Sequence, residues 1–396
     1  NYTEVIELEK IVINGGKPLS GEVSISGAKN AALGILPACI LTEETIVIEN
    51  LPDIQDIRNY IIMLDKLGAR LEKNGDVLKV EPSHIKFENI VNIEEESTKM
   101  RASYYMLGAL LSKYKKVRLP LPGGCAIGAR PIDMHIKAFK ALGADVNIQN
   151  GYIEAQADEL VGCDIYFDVV SVGATINTML AAVMANGTTV IENAAKEPHV
   201  VDIANCLNLM GAKINGAGTD TIKIKGVENL HGCTYSVVPD QIQAGTYMIA
   251  AAATCGNVLV KNIIPEHLDS LSAKLTEMGN EVIEYDDAIR VIGKRPLKPV
   301  NIKTMPYPGF PTDLQQPMGV LMCVAEGTST ITENIFESRF KYVNELMRMG
   351  ANVMVSGGNV AMFNGVEKLS GAKIQATDLR AGAAMVVALR HKSGHN

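Results

Sequence analysis

One segment of the chain brings together a cysteine, several glycines and a cation, residue types that can do chemistry as a group. The segment Leu121-Pro-Gly-Gly-Cys125-Ala-Ile-Gly-Ala-Arg130-Pro131 places a thiol where the backbone can turn sharply and approach a ligand closely. Proline suits the first position of a helix, and the apolar residues that follow recur at helical spacing. Since a helix N-terminus favours anions and lowers the pKa of a nearby thiol, the segment predicts a reactive cysteine beside an anion site. A surface turn with a buried, inert cysteine is an equally simple interpretation.

Other predicted helices also begin with polar residues. Such starts occur at Lys29-Asn30, Arg101, Ser171-Val172-Gly173 and Arg380. Cations, hydroxyls and backbone N–H groups at helix starts suit an anionic ligand. Taken by itself, the Lys29-Asn30 start is better explained by a solvated lysine with an asparagine cap. Because equivalent positions of a repeat face the same side of a domain, we predict that these starts line one surface.

Asp313 and Arg339 are two further candidates. Asp313 stands just ahead of an apolar helix in Pro311-Thr-Asp-Leu-Gln, where it could act in catalysis or simply cap the helix. Arg339 opens the next predicted helix and could instead form an i, i+4 ion pair. Both interpretations of each residue stay open at this point.

Internal repetition organises these candidates. Five segments run from a strand through a turn into an amphipathic helix that ends on Leu/Met-Gly, at 45–68, 116–143, 188–211, 257–279 and 329–350. The closing glycines are suited to helix C-caps. Before each segment, and again near the end of the chain, lies a helix rich in alanine or methionine, at 28–41, 99–111, 173–185, 244–253, 314–325 and 379–389. Such composition favours burial on nearly all faces, with sheets outside.

Six inner helices predict an α/β protein of two domains, each built from three repeated units. We place the first domain at 21–238 and the second at 1–20 plus 239–396, because Pro239 interrupts the pattern just before the fourth inner helix. A ligand would lie in the crevice between two such domains.

Composition excludes several classes of protein. The net charge of −7 argues against general binding of nucleic acid. No apolar run reaches the roughly 18 residues of a membrane span and no signal peptide is evident, so we expect a cytoplasmic chain that does not enter membranes. Seven cysteines without a CxxC pair suggest neither a disulfide framework nor a metal site. No Walker or GxGxxG segment is present.

The quoted segments resemble those of the enolpyruvyl transferase family. The resemblance covers essentially the whole chain, and the Gly-Gly-Cys125 loop favours the branch that acts on UDP-N-acetylglucosamine over the shikimate-pathway branch. It implies two inside-out α/β domains joined by a double hinge. It also implies transfer of the enolpyruvyl group of phosphoenolpyruvate to the 3′-hydroxyl of UDP-N-acetylglucosamine, with release of phosphate and no cofactor, as a step of bacterial peptidoglycan synthesis.

The resemblance also implies roles for individual residues. Cys125 is expected to protonate phosphoenolpyruvate and to be alkylated by fosfomycin, while Asp313 accepts the hydroxyl proton; Lys29 and Arg339 complete the catalytic group. The residues expected to bind phosphoenolpyruvate are Lys29, Asn30, Arg101, Arg130 and Arg380. Those expected to bind UDP-N-acetylglucosamine are Asn30, Arg101, Arg130, Pro131, Ile132, Asp133, Met134, Ser171, Val172, Gly173, Asp313 and Ile335.

Three departures from the family pattern motivate an alternative. The sequence ends before the family's last strand and helix, Gln241 and Gln243 replace an Arg and a Glu, and Val169 stands where some members carry lysine. The alternative is a truncated or catalytically silent paralogue that binds UDP-N-acetylglucosamine or a regulatory partner. The oligomeric state is left open.

Overall fold

Twelve α-helices and nineteen β-strands lie in the part of the chain that the computed structural model describes, residues 11–121 and 132–390. The helices are α1 (Lys29–Ala38), α2 (Gln55–Leu67), α3 (Glu94–Lys99), α4 (Tyr105–Tyr114), α5 (Asp133–Ala141), α6 (Val172–Ala182), α7 (Pro198–Leu209), α8 (Gln241–Ala253), α9 (Asp269–Glu277), α10 (Thr312–Met322), α11 (Val343–Arg348) and α12 (Leu379–Arg390). The strands are β1 (Ser20–Ser24), β2 (Ile46–Glu49), β3 (Arg70–Asn74), β4 (Val77–Glu81), β5 (Lys116–Pro120), β6 (Asp145–Gln149), β7 (Tyr152–Gln156), β8 (Asp164–Tyr166), β9 (Thr188–Glu192), β10 (Lys213–Asn215), β11 (Thr221–Lys225), β12 (Thr234–Ser236), β13 (Asn257–Lys261), β14 (Glu281–Glu284), β15 (Ala288–Ile292), β16 (Asn301–Lys303), β17 (Thr328–Thr332), β18 (Asn352–Ser356) and β19 (Val360–Asn364). No helix in these ranges is long and apolar enough to cross a membrane.

The sheets repeat one strand order. Four of them run β12-β2-β4-β3, β8-β9-β11-β10, β1-β13-β15-β14 and β16-β17-β19-β18, and a further one contains β5-β7-β6. In each four-stranded sheet the first strand lies parallel to its neighbour and the remaining pairs are antiparallel. The predicted repeat is confirmed, and the five closing glycines all adopt positive φ after an outer helix, as a helix C-cap requires.

The inner helices form two hydrophobic cores, as the composition predicts. The first core contains α1, α4 and α6, and the second contains α8, α10 and α12. Residues 31–38 of α1 are all buried, so its side chains face other helices on every side. Small residues allow this close packing, since a Cβ on Gly34 would lie 2.1 Å from Cδ1 of Ile203. The second inner helix begins later than predicted, because Arg101–Tyr104 forms a separate 3₁₀ turn before α4.

An asparagine forms a hydrogen bond at the parallel edge of each four-stranded sheet. It follows the strand next to the edge and donates its side-chain N–H to the backbone oxygen of the residue after the edge strand. The four pairs are Asn50 with Val237 (2.8 Å), Asn193 with Phe167 (2.8 Å), Asn262 with Ile25 (2.6 Å) and Asn334 with Thr304 (3.1 Å). Such bonds satisfy carbonyl groups where the ladder ends.

The chain passes between the two cores twice, and the two passages pair with each other. Ala28 N–H donates to Val238 O at 2.7 Å, and Asp240 N–H donates to Ser26 O at 3.0 Å. Gly27 sits at this crossing with no room for a side chain, because its Cβ would lie 1.8 Å from the Asn50 backbone oxygen. Gln243, one of the two glutamines that depart from the family pattern, has a structural role at this crossing. Its Oε1 accepts from the N–H and the hydroxyl of Ser26.

The predicted domain boundary at residue 21 falls within strand β1. Strand β1 pairs with β13 over Ser20 to Ser24, and Ile25 belongs to the second core. In the units β8-α6-β9 and β16-α10-β17, the edge strand and the strand after the helix lie in one sheet. At the crossing, β1 and β12 are exchanged between the two cores. We therefore propose that the second domain includes the chain up to about residue 26, with the boundary near 238 unchanged.

Candidate active site

Asp313 lies at the centre of a group of charged side chains in the second core. Its Oδ1 accepts from Nη2 of Arg339 at 2.6 Å, and its Oδ2 accepts from Nε of Arg380 at 3.0 Å and lies 2.9 Å from its Nη2. Asp313 and Arg380 are the second residues of α10 and α12, so equivalent helix starts do meet, as the repeat predicts. Asp378 supports this arrangement by capping α12 through the N–H groups of Arg380 and Ala381.

These contacts bear on the structural interpretations of Asp313 and Arg339, helix capping and i, i+4 pairing. No side chain caps the N-terminus of α10, and both oxygens of Asp313 are engaged by guanidinium groups. The prediction that Arg339 opens a helix is wrong, because this residue lies in a turn before α11. From there Arg339 reaches across to Asp313 on α10. Its side chain is only 2% exposed, and its Nε is buried with no hydrogen-bond partner among the described residues.

The charge balance keeps Asp313 ionised. Burial raises the pKa of this carboxyl, but Arg380, Arg339 and the more distant Lys29 outweigh it and lower the pKa to about 2. The charge of Lys29, at the start of α1 in the first core, therefore acts on Asp313. A carboxylate with so low a pKa is a weak base for as long as both guanidinium groups hold it.

Lys29 is fixed at the first residue of α1 by two carboxylates. Its backbone N–H donates to Asp240 Oδ2 at 3.1 Å, and its Nζ donates to Asp56 Oδ2 at 2.9 Å. The other oxygen of Asp240 caps α8 by accepting from the N–H groups of residues 242 and 243. One carboxylate therefore holds the N-termini of helices from both cores, and Asn30 follows, half-buried, in the first turn of α1.

Carboxylates of this group also act electrostatically on His199, which sequence reasoning missed. Burial lowers the pKa of His199, while the carboxylates of Glu197, Asp240 and Asp313 act in the opposite direction. Glu197 Oε1 also accepts from the N–H of Tyr307 at 3.4 Å, which links the start of α7 to the second core. The only available signal was the position of His199 at the start of an outer helix, one residue after a proline.

A second group forms around Arg101 in the first core. Arg101 lies at the start of its 3₁₀ turn, with its guanidinium 5.2 Å from the centroid of the Tyr104 ring. The ring centroid of His135, on α5, lies 5.6 Å from that of Tyr104, and the charge of Arg101 acts on this imidazole. Burial, with a smaller contribution from Arg101, lowers the pKa of His135 to about 4, so its imidazole is neutral near pH 7.

The hydrogen bonds of Asn177 fix which nitrogen of His135 carries the proton. Asn177 Oδ1 accepts from Gly108 N–H at 2.7 Å, and its Nδ2 donates to Tyr104 O at 2.8 Å. The second hydrogen of Nδ2 therefore points to His135 Nδ1, 2.9 Å away, which must accept it. The proton of the neutral ring is on Nε2, and this atom lies beside Gly173, where an added Cβ would be 3.1 Å away.

Six of the predicted nucleotide-binding residues lie on two helix starts, and Gly173 among them is beside this imidazole. Ser171 caps α6 by accepting from Ala174 N–H at 3.2 Å, and Val172 and Gly173 form its first turn. Ile132 precedes α5, and Asp133 and Met134 begin it. His135 was overlooked as a candidate, although its place two residues after Asp133 could have pointed to it.

Other predicted residues fall in different places. Ile335, 36% exposed, donates its N–H to Glu333 Oε1, and Glu333 Oε2 accepts from the hydroxyl of Thr312, next to Asp313. Cys125, Arg130 and Pro131 lie outside the described residues. Within the described ranges, no group of three His, Cys, Asp or Glu side chains could hold a metal ion.

Comparisons with known proteins agree with this architecture. A family model described as EPSP synthase (3-phosphoshikimate 1-carboxyvinyltransferase) matches residues 13–393. UDP-N-acetylglucosamine 1-carboxyvinyltransferase 3 of Caldanaerobacter subterraneus subsp. tengcongensis is 58% identical over 381 residues, covering 96% of this chain and 91% of that protein. UDP-N-acetylglucosamine 1-carboxyvinyltransferase 2 of Bacillus subtilis is 51% identical over 382 residues, covering 96% and 88%.

A solved structure shares the fold. The enolpyruvyl transferase NikO from Streptomyces tendae superposes with a TM-score of 0.83 at 25% identity, covering 96% of this chain and 91% of that one. The fold is therefore that of the enolpyruvyl transferases, with two α/β domains whose central helices are buried. The chain belongs to the EPSP synthase family, whose model it matches over nearly its whole length.

Proposed function

We propose that this chain transfers the enolpyruvyl group of phosphoenolpyruvate to the 3′-hydroxyl of UDP-N-acetylglucosamine and releases phosphate, in the synthesis of bacterial peptidoglycan. The observation that carries the proposal is the likeness, at 58% and 51% identity over nearly the whole chain, to two proteins with that activity in their names. The groups around Asp313 and His135 include cations and N–H donors, which suit the anionic groups of both substrates. Because both substrates are intracellular metabolites, we propose that the reaction takes place in the cytoplasm.

Phosphoenolpyruvate would bind at the arginines around Asp313. Guanidinium groups can hold carboxylate and phosphate through paired hydrogen bonds, and Arg339 and Arg380 already bind the carboxylate of Asp313. The buried Nε of Arg339 is a further donor that an incoming anion would satisfy. Lys29 would add charge from the first domain, together with Asn30, Arg101 and Arg130.

Anion binding would also activate the base. While Arg339 and Arg380 hold Asp313, its pKa of about 2 makes it a poor acceptor for a hydroxyl proton. A substrate carboxylate or phosphate that drew these guanidinium groups away would raise the pKa of Asp313 toward the ordinary range. Asp313 could then take the proton of the sugar 3′-hydroxyl as this oxygen attacks C2 of phosphoenolpyruvate.

Cys125 would supply the complementary proton. Addition across the enol double bond requires a proton on the methylene carbon, which yields a tetrahedral ketal; loss of a proton and of phosphate then restores the double bond. The cysteine among glycines at 122–128 is suited to approach that carbon, and its thiol is the group that we expect fosfomycin to alkylate.

UDP-N-acetylglucosamine would bind through its diphosphate between α5 and α6. The N-terminal N–H groups of α6, the charge of Arg101 and the Nε2–H of His135 are donors of the kind that diphosphates need. Arg130 to Met134, and Ser171 to Gly173, would line this part of the site. Asp313 and Ile335 would contact the sugar.

The decisive experiment measures phosphate release from phosphoenolpyruvate with two acceptors. We expect release with UDP-N-acetylglucosamine and none with shikimate 3-phosphate. Cys125→Ser should lower turnover at least a hundredfold and abolish labelling by fosfomycin, whereas Cys163→Ala should change neither. Tight binding of the sugar nucleotide without phosphate release would favour the silent paralogue, and equal loss in both variants would contradict the role of Cys125.

A further inference from the structure

A buried glutamine on α10 contacts the elements that carry both arginines of the Asp313 group. Gln316 lies one turn after Asp313 and is 0% exposed. Its Nε2 donates to Asp378 Oδ2 at 2.9 Å and, with longer geometry, to the backbone oxygen of Arg339 at 3.4 Å. The other oxygen of Asp378 accepts from the backbone N–H of Arg380 at 2.8 Å. One amide group thus adjoins the backbone positions from which both guanidinium groups reach Asp313.

The partner of this amide determines its orientation. A carboxylate only accepts hydrogen bonds, so Nε2 of Gln316 must face Asp378. The Oε1 of Gln316 is left buried, with no hydrogen-bond partner among the described residues. An unpaired buried acceptor is destabilising, and an apolar side chain of similar size would avoid that cost. A glutamine at this position is understandable if its donor is needed at Asp378.

We propose that Gln316 is a positioning residue that keeps the guanidinium group of Arg380 available to phosphoenolpyruvate, a role that rests on the proposed function. The N–H of Gln316 occupies Asp378 Oδ2, while backbone N–H groups of α12 occupy Oδ1. Both oxygens of Asp378 therefore have neutral donors. Without Gln316, Oδ2 would be free to form an ion pair with Arg380, two residues further along the chain, because charged donors make the stronger hydrogen bonds. Phosphoenolpyruvate would then have to displace a second carboxylate from this arginine.

The first test is Gln316→Met, which keeps the length of the side chain and removes its donor. Calorimetric titration with phosphoenolpyruvate should show about tenfold weaker binding, because Asp378 then competes for Arg380. Turnover at saturating phosphoenolpyruvate should stay within about threefold of the wild type, since the reacting groups are unchanged. Asn280→Ala is the control, because Asn280 is another buried amide whose partners are backbone groups, Leu275 O and Lys294 N–H. It should lower thermal stability and leave the affinity unchanged.

A double-mutant cycle distinguishes this role from a general loss of packing. In Asp378→Asn the neutral amide cannot form an ion pair with Arg380, and the Gln316 amide can turn so that its Oε1 accepts the hydrogen bond. Adding Gln316→Met to Asp378→Asn should change the affinity for phosphoenolpyruvate by less than about twofold, against about tenfold without Asp378→Asn. An equal loss of affinity in both backgrounds would overturn the proposal. Gln316→Leu repeats the cycle with a second apolar side chain, so a folding defect of the methionine variant does not decide the outcome.

The wild type separates the role of Gln316 from the proposed function. Phosphate release by the wild type, together with unchanged affinity in Gln316→Met, would contradict only the role of Gln316. Binding of phosphoenolpyruvate without phosphate release would contradict the proposed function, while the comparison of affinities would still test the positioning role. Absence of any binding of phosphoenolpyruvate by the wild type would overturn both.

Discussion

Replacing Asp313 by asparagine removes the charge at the centre of the active site while keeping its shape. Arg339, only 2% exposed, would be left as a buried cation without its carboxylate partner. The lowering of the Asp313 pKa from 3.8 to about 2 corresponds to about 2–3 kcal/mol in favour of the charged form. We therefore expect Asp313→Asn to reduce the free energy of unfolding by about this amount at pH 7.

The contribution of Asp313 to the free energy of unfolding depends on pH. A carboxyl group whose pKa is lowered by folding stabilises the fold above its unfolded pKa and loses that contribution as pH falls through the folded value. The stability difference between the wild type and Asp313→Asn should therefore be constant above about pH 5 and disappear between about pH 4 and pH 2. Urea unfolding at pH 7 and pH 3, followed by circular dichroism, measures the full difference and its partial loss.

The same substitution should separate binding from catalysis. Turnover should fall by about a hundredfold or more, because no base remains for the sugar hydroxyl. Affinity for phosphoenolpyruvate should rise at least about tenfold, because the substrate no longer competes with a carboxylate for Arg339 and Arg380. Isothermal titration calorimetry measures this affinity, and Asp53→Asn, in an exposed ion pair with Arg58, is the matched control.

One combination of results would refute the reasoning. If Asp313→Asn bound phosphoenolpyruvate no more tightly than the wild type while its stability was also unchanged, the ion pairs of Asp313 would have neither the energetic nor the gating role assigned to them. Loss of turnover alone would not support the gating role, since any distortion of the site has that effect.

Two more substitutions test the crossing and the nucleotide site. Gly27→Ala should lower the free energy of unfolding by about 3 kcal/mol, because the new Cβ meets a backbone oxygen; Gly382→Ala, with its nearest neighbour 3.6 Å away, is the control in the same chemical denaturation. His135→Ala should weaken binding of UDP-N-acetylglucosamine about tenfold, and His135→Gln should restore part of it, since its amide can replace the Nε2 donor. Because the pKa of His135 is about 4, this affinity in the wild type should stay level from pH 5.5 to 8, and a decline across that range would contradict a neutral donor.

The sequence alone could predict the elements that depend on local pattern. Inner helices, closing glycines and the meeting of Asp313 with Arg380 follow from the repeat, because equivalent helix starts lie on equivalent faces. The exchange of β1 and β12 could not be predicted, because the pattern of residues 20–24 does not distinguish a partner at 257–261 from one at 46–49. His199 and His135 were missed for a related reason: their surroundings are supplied by residues distant in the chain, such as Asp313 and Asn177.

The second unit of the repeat lacks an asparagine that the other four completed units share. In four units an asparagine after the central strand binds the end of the edge strand, and three of these asparagines adopt φ of 54° to 56°. In the second unit Leu121 follows β5 at this position, so the side-chain amide that closes the other sheets is missing there. The Gly-Gly-Cys125 segment begins at that point. A unit that lacks a structural contact made by its four counterparts is understandable if the segment that follows serves catalysis.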